Sequence, residues 1–187
     1  VVTVPTVRCP RRGLREGRPG NVWRALRDDM RGQDLVELVL TLPILLVVAF
    51  GILELGSLLD IQHSLSGLTR EGANIASRGA SLDSVVQVTV QNGNSWKLAA
   101  GGSVIASRVD IQGGVPRVTA QRAGGSLGAQ SRLGQNGQIA APLVGQGLAN
   151  GTSYYVVEVF LPYRAFTPLR NFVSSVVPDT LYDRTLF

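Results

Sequence analysis

The residues whose types and spacing could do chemistry gather at one junction, Met30-Arg31-Gly32-Gln33-Asp34-Leu35-Val36-Glu37. Glycine ahead of a peptide bond gives a protease close access to the backbone, because it has no side chain and tolerates unusual torsions. A cut after Gly32 would make Gln33 the new N-terminus and Glu37 the fifth residue of the shortened chain. A carboxylate one helical turn in can neutralise an α-amino group, its own or that of a neighbouring subunit. Inside a low-dielectric helix bundle such pairing counts for more than in water. The junction therefore offers processing at Gly32–Gln33 and subunit pairing through Glu37.

Other chemistry is sparse. His63 is the only histidine, and its neighbours Asp60 and Ser64 share its stretch of helix. A catalytic triad needs members that converge in space around a buried orienting acid, which adjacent helix positions do not supply. The single cysteine, Cys9, excludes an internal disulfide, and one Cys with one His leaves no zinc site. No P-loop, HExxH, CxxC or EF-hand pattern occurs. Asn150-Gly151-Thr152 matches a glycosylation sequon, a pattern common by chance. No enzymatic activity, cofactor or metal is expected.

The element that must position the junction is an apolar run from Leu35 to Leu59, broken by Glu37 and Glu54. Its length is about 38 Å at ~1.5 Å per helical residue, enough to cross a hydrocarbon core ~30 Å thick. Pro43 lies inside it and is expected to kink the helix. Glu54, near the outer end, is expected to reach headgroups or water. The chain of 187 residues carries a net charge of +5, and all of the excess lies in residues 1–32, where eight arginines face three acids. Pro10, Gly13, Gly17, Pro19 and Gly20 break up those arginines, so a nucleic-acid partner is not expected. A basic arm before an apolar run is a topology signal instead: the arm stays in the cytoplasm and residues after Asp60 are exported.

The junction resembles the type IV prepilin pattern, with cleavage after glycine and glutamate at the fifth mature position. The longer stretch Arg31-Gly32-Gln33…Glu37…Leu42-Pro43…Gly51-Ile52-Leu53-Glu54-Leu55-Gly56, with Thr69-Arg70-Glu71-Gly72-Ala73 beyond it, is similar to the TadE-like family. Leu38 departs from the prepilin pattern, where an aromatic often follows the glutamate. The resemblance implies a minor pilin or pseudopilin of the tight-adherence (Flp) pilus system in the bacterial inner membrane. It implies a prepilin peptidase, other pilin-like subunits, pilus assembly components and membrane lipid as partners. Whether the subunit enters the filament stays open. So does a second reading, an uncleaved signal-anchored envelope protein whose β domain binds a ligand or surface. The chain opens on Val1 and holds one methionine, Met30; a start there would leave a three-residue leader before the Gly32–Gln33 bond.

Beyond the run, Leu58, Ile61, Leu65, Leu68, Gly72 and Ile75 recur at spacings of three and four, an amphipathic continuation expected to stop near Gly79 and Ser81. Val86-Gln87-Val88-Thr89-Val90 alternates and predicts a strand, with Asn92-Gly93 as its turn. Val104 to Ile111, Gly113-Gly114 and Val115 to Thr119 predict a hairpin with Pro116 near an edge. Tyr154 to Phe160 is the strongest predicted strand, and Leu181 to Phe187 a closing one. Residues 123–151 hold eight glycines without a period and predict a mobile excursion. The expected fold is α+β, a long N-terminal transmembrane and amphipathic helix packed with a small antiparallel sheet. The expected division is a basic leader 1–32, a helix 33–80 and an extracytoplasmic β-rich domain 81–187, with apolar residues enough for one thin layer.

Overall fold

The computed structural model describes residues 30–165, 167–168 and 178–187. The arginine-rich arm before Met30, and part of the proline-bounded stretch after Tyr163, lie outside the described residues. The chain divides into two compact units, Val1–Leu46 and Val47–Phe187.

The described part of the first unit is the start of helix α1, Met30–Ser77. Every large aliphatic side chain from Leu35 to Leu46 is exposed there. Pro43 sits within the helix. Its lack of an N–H removes the intrahelical bond to the carbonyl four residues back. Two residues before Pro43, the Thr41 hydroxyl donates to the carbonyl of Glu37 at 2.9 Å.

In the second unit α1 continues to Ser77 and changes character. Leu65, Thr69, Ala73 and Ala76 become fully buried, at spacings of four, four and three. The chain turns through Gly79 at φ +92 and re-enters a helix, α2, Leu82–Asn92. Ser81 caps it: the Ser84 N–H donates to the Ser81 hydroxyl oxygen at 3.2 Å, and Asp83 lies in the first turn. The strand expected at 86–90 is therefore a helix. Alternation of Val86, Val88 and Val90 coexists with a helical pattern, Leu82, Val85, Val86, Thr89 and Val90, and the cap decides between them. Of these, Val85, Val86 and Thr89 are buried. The 3₁₀ turn Gly93–Trp96 and the short helix α3, Leu98–Gly101, follow.

Four strands, β1 Ser103–Gln112, β2 Val115–Gly125, β3 Ser153–Pro162 and β4 Thr180–Leu186, form one antiparallel sheet in the order β2-β1-β3-β4. The hairpin forms as its sequence predicts: Gln112 pairs with Val115, and Gly113 and Gly114 take φ of +61 and +77. Those are the values a two-residue type I′ turn requires. A bulge lies where Arg108 pairs with Ala120 and Val109 with Val118. It leaves Thr119 as the extra residue, whose hydroxyl donates to the Arg108 carbonyl at 3.4 Å.

Both faces of the sheet are covered. On one, Val104, Ala106, Val157, Val159 and Leu161 meet Leu65, Ala73 and Ala76 of α1 and Val85 and Val86 of α2. On the other, Val109, Ile111, Val118 and Val156 meet Leu133, Ala140 and Leu143. Those last three come from the glycine-rich stretch, so residues expected to form a mobile excursion instead build the second layer of core. Six consecutive residues of β3, from Val156 to Leu161, are buried, as a strand covered on both faces requires.

Candidate functional site

Gly32 and Gln33 lie in the first turns of α1, both exposed and with helical backbone. A Cβ added at Gly32 would meet nothing within 4 Å, so no packing requires a glycine there. Glu37 is exposed, and among the described residues no side chain bonds its carboxylate. From Gly32 to Val48 the helix offers its apolar surface, with Glu37, on all sides. The helix is long and apolar enough to cross a membrane.

Glu54 behaves differently from its expected exposure. Only 2 % of its surface is accessible. The Tyr163 hydroxyl donates to one carboxylate oxygen and the Thr167 N–H donates to the other at 3.3 Å. Leu53 and Leu55, on either side, stay exposed at 56 % and 60 %. The chain leaving β3 folds back over one carboxylate and closes it off from solvent. Burial and the Glu54 carboxylate push the Tyr163 phenol up to about 12 from its ordinary 10.0.

Fifteen residues further on, Thr69 ties the helix to β4. Its hydroxyl donates to Asp183 Oδ2 at 2.6 Å and lies 3.0 Å from the Thr185 hydroxyl. Three residues later α1 lies close against the sheet and α2: a Cβ on Gly72 would lie 2.7 Å from Thr89 Oγ1 and 3.3 Å from Val157 Cγ1. Glu71 accepts from the Asn92 side-chain amide at 3.0 Å. The stretch Thr69-Arg70-Glu71-Gly72-Ala73 thus reads as a docking segment. Thr69 bonds the sheet, Gly72 and Ala73 admit it, and Glu71 holds α2.

A second buried carboxylate escaped the sequence reading. Glu158, in the middle of β3, is wholly buried. It accepts from the Ser131 hydroxyl, the Arg132 N–H at 3.0 Å and the Tyr182 hydroxyl at 2.9 Å. The Arg132 guanidinium lies 4.0 Å from the centre of the Tyr182 ring. Burial and the neighbouring Glu158 raise the Tyr182 phenol well above its ordinary range. The signal was a lone carboxylate inside an apolar strand run, which only a fully hydrogen-bonded site tolerates. It pins the glycine-rich layer to the sheet.

His63 is exposed, and no group of three or more His, Cys, Asp or Glu among the described residues could hold a metal ion. No curated protein and no solved structure matches the chain. Residues 32–74, about a quarter of the chain, match the family model described as TadE-like protein, a stretch that opens on Gly32, holds Glu37, Pro43 and Glu54 and closes just after Gly72; over that stretch the chain is similar to TadE-like proteins.

Proposed function

We propose that this chain is a single-pass, pilin-like membrane subunit, a minor pilin or pseudopilin, of a tight-adherence pilus assembly system, with no enzymatic role. The observation that carries the reading is the fully exposed apolar start of α1, bearing Gly32 and Glu37, within the TadE-like match. In this reading a prepilin peptidase cuts between Gly32 and Gln33 in the bacterial inner membrane. The arginine-rich arm lies in the cytoplasm and the sheet on the other side, following the arginine asymmetry. Helical backbone at Gly32 must unwind before cleavage. Glycine makes that easier, since it favours a helix less than alanine by about 1 kcal/mol. Pro43 adds a kink or a point of give inside the membrane.

The Glu54 clasp supports an outer boundary for the span. From Leu35 to Leu53 the helix is about 28 Å long at ~1.5 Å per residue, close to a hydrocarbon core of ~30 Å. A carboxylate capped by its own protein at that boundary avoids the insertion cost of about 3 kcal/mol for a charge at bilayer centre. Lipid surrounds the exposed helix until other pilin-like subunits or pilus components replace it. Glu37 then pairs with an α-amino group of a neighbouring helix. A Glu37→Ala chain should insert normally yet fail to co-purify with pilus components. Undiminished co-purification would count against the pairing.

A second reading, an uncleaved signal anchor whose β domain binds a ligand or surface, draws on the helix running from Met30 through the Gly32–Gln33 bond. It requires the leader to persist on the membrane-extracted protein.

A further inference from the structure

A groove of about 760 Å³ runs beside α1 at Ser57 and Ile61, next to the Glu54 clasp. Its described lining includes Trp96, Lys97, Tyr163 and Arg164, and no acidic residue. Lys97 is the only lysine in the chain. It is also the one described non-glycine residue with positive φ, at +55, a conformation that a residue with a Cβ adopts at a cost. The backbone holds it there from both sides. Its N–H donates to the Asn94 carbonyl at 2.9 Å, and its carbonyl accepts from Ala100 and Gly101 at 3.1 and 2.9 Å. Tyr163 is fixed through its hydroxyl bond to Glu54, which places Arg164 beside it at the groove wall.

The position along the helix matters as much as the charge. Ser57 lies about 6 Å beyond Leu53 at ~1.5 Å per residue, inside a polar headgroup zone of roughly 5–7 Å on each side of the hydrocarbon core, and Ile61, about 12 Å out, lies on its water side, so the groove opens at the outer edge of that zone. Tryptophan and tyrosine with cations at that depth form an interfacial belt. Two cations and no acid among the described lining residues of a groove there, with the neighbouring Glu54 buried beneath Tyr163, match a headgroup phosphate in charge. Leu127 and Leu161 give the same groove apolar wall.

We propose that this groove seats the headgroup of an anionic phospholipid, with Lys97 and Arg164 on the phosphate and Trp96 and Tyr163 at headgroup depth. The inference rests on the membrane-spanning reading of α1. The test uses the full chain with Trp23→Phe, which leaves Trp96 as the sole tryptophan. It is reconstituted in phosphatidylcholine vesicles holding about 20 % brominated phosphatidylglycerol or brominated phosphatidylcholine. The brominated anionic lipid should quench Trp96 about two-fold more strongly than the neutral one at equal mole fraction. Lys97→Asn with Arg164→Gln should abolish that excess, asparagine being chosen because it tolerates positive φ. Lys97→Arg should keep it. Equal quenching by the two lipids, an excess that survives the double substitution, or loss of the excess in Lys97→Arg would overturn the headgroup seat. Resistance to alkaline extraction reads the spanning helix separately. Protein stripped from the vesicles would overturn the span, whereas retained protein with equal quenching would overturn the seat alone.

Discussion

At the scale of single residues, two carboxylates and one glycine carry most of the information. Glu54 is closed off by Tyr163 and Thr167, so Tyr163→Phe leaves a buried carboxylate oxygen without its donor. The expected loss is about 1–3 kcal/mol, read by denaturant unfolding of the detergent-solubilised chain; an unchanged midpoint would show that the clasp holds nothing. The same pair predicts an alkaline limb. The folded Tyr163 phenol, raised to about 12 from 10.0, keeps its proton where the unfolded chain has lost it. Its contribution is complete below pH 10 and disappears as pH climbs towards 12. Tyr163→Phe should flatten stability across that interval. Asp110 predicts the opposite limb. Burial pushes its carboxyl up, but the Ser153 and Thr119 hydroxyls and the Arg108 guanidinium together hold it below 3.8. Its contribution is present above that value and is lost as pH falls through the folded one, so Asp110→Asn should blunt acid sensitivity. Gly72→Ala forces a Cβ against Thr89 and Val157 and should cost about 1–3 kcal/mol by overpacking. A neutral substitution would contradict the close approach of α1 to the sheet.

At the scale of elements, α1 belongs to two environments, and the second half belongs to the core of the sheet. Leu65, Ala73 and Ala76 pack with Val85, Val157 and Val159. A fragment of residues 81–187 lacks that layer and should show no cooperative thermal transition by circular dichroism, while one of residues 50–187 should unfold cooperatively. Equal transitions from both would detach the helix from the folding unit. Much of this was legible in sequence. The three-and-four spacing of Leu65, Leu68 and Gly72 marked the docking face, and Gly113-Gly114 marked the hairpin. The segment 86–90 misled because three valines alternate within a helical pattern, and period alone does not choose for so short a run. The cap at Ser81 carried the deciding signal. The glycine-rich stretch misled for another reason: composition records the positive-φ turns at Gly134, Gly137 and Gly145 but not Leu133, Ala140 and Leu143 between and beside them, which are buried. Glu158 was visible as a charge in an apolar strand, but its donors Ser131 and Tyr182 are distant in sequence.

At the scale of the whole molecule, an apolar helix exposed from Leu35 to Val48 and a sheet covered on both faces are separate tools on one chain. In the proposed function the helix makes the association with membrane and pilus partners, while the sheet packs against Leu65, Ala73 and Ala76 near the C-terminal end of that helix. The junction at Gly32 and Gln33 decides between a processed subunit and a permanent anchor. The measurement that tests this most directly is the N-terminal sequence of the membrane-extracted protein from its native host. The account predicts a chain that starts at Gln33 and shifts to an uncut form when Gly32 is replaced by a bulkier residue. An intact arginine-rich arm in cells with an active prepilin peptidase would contradict it.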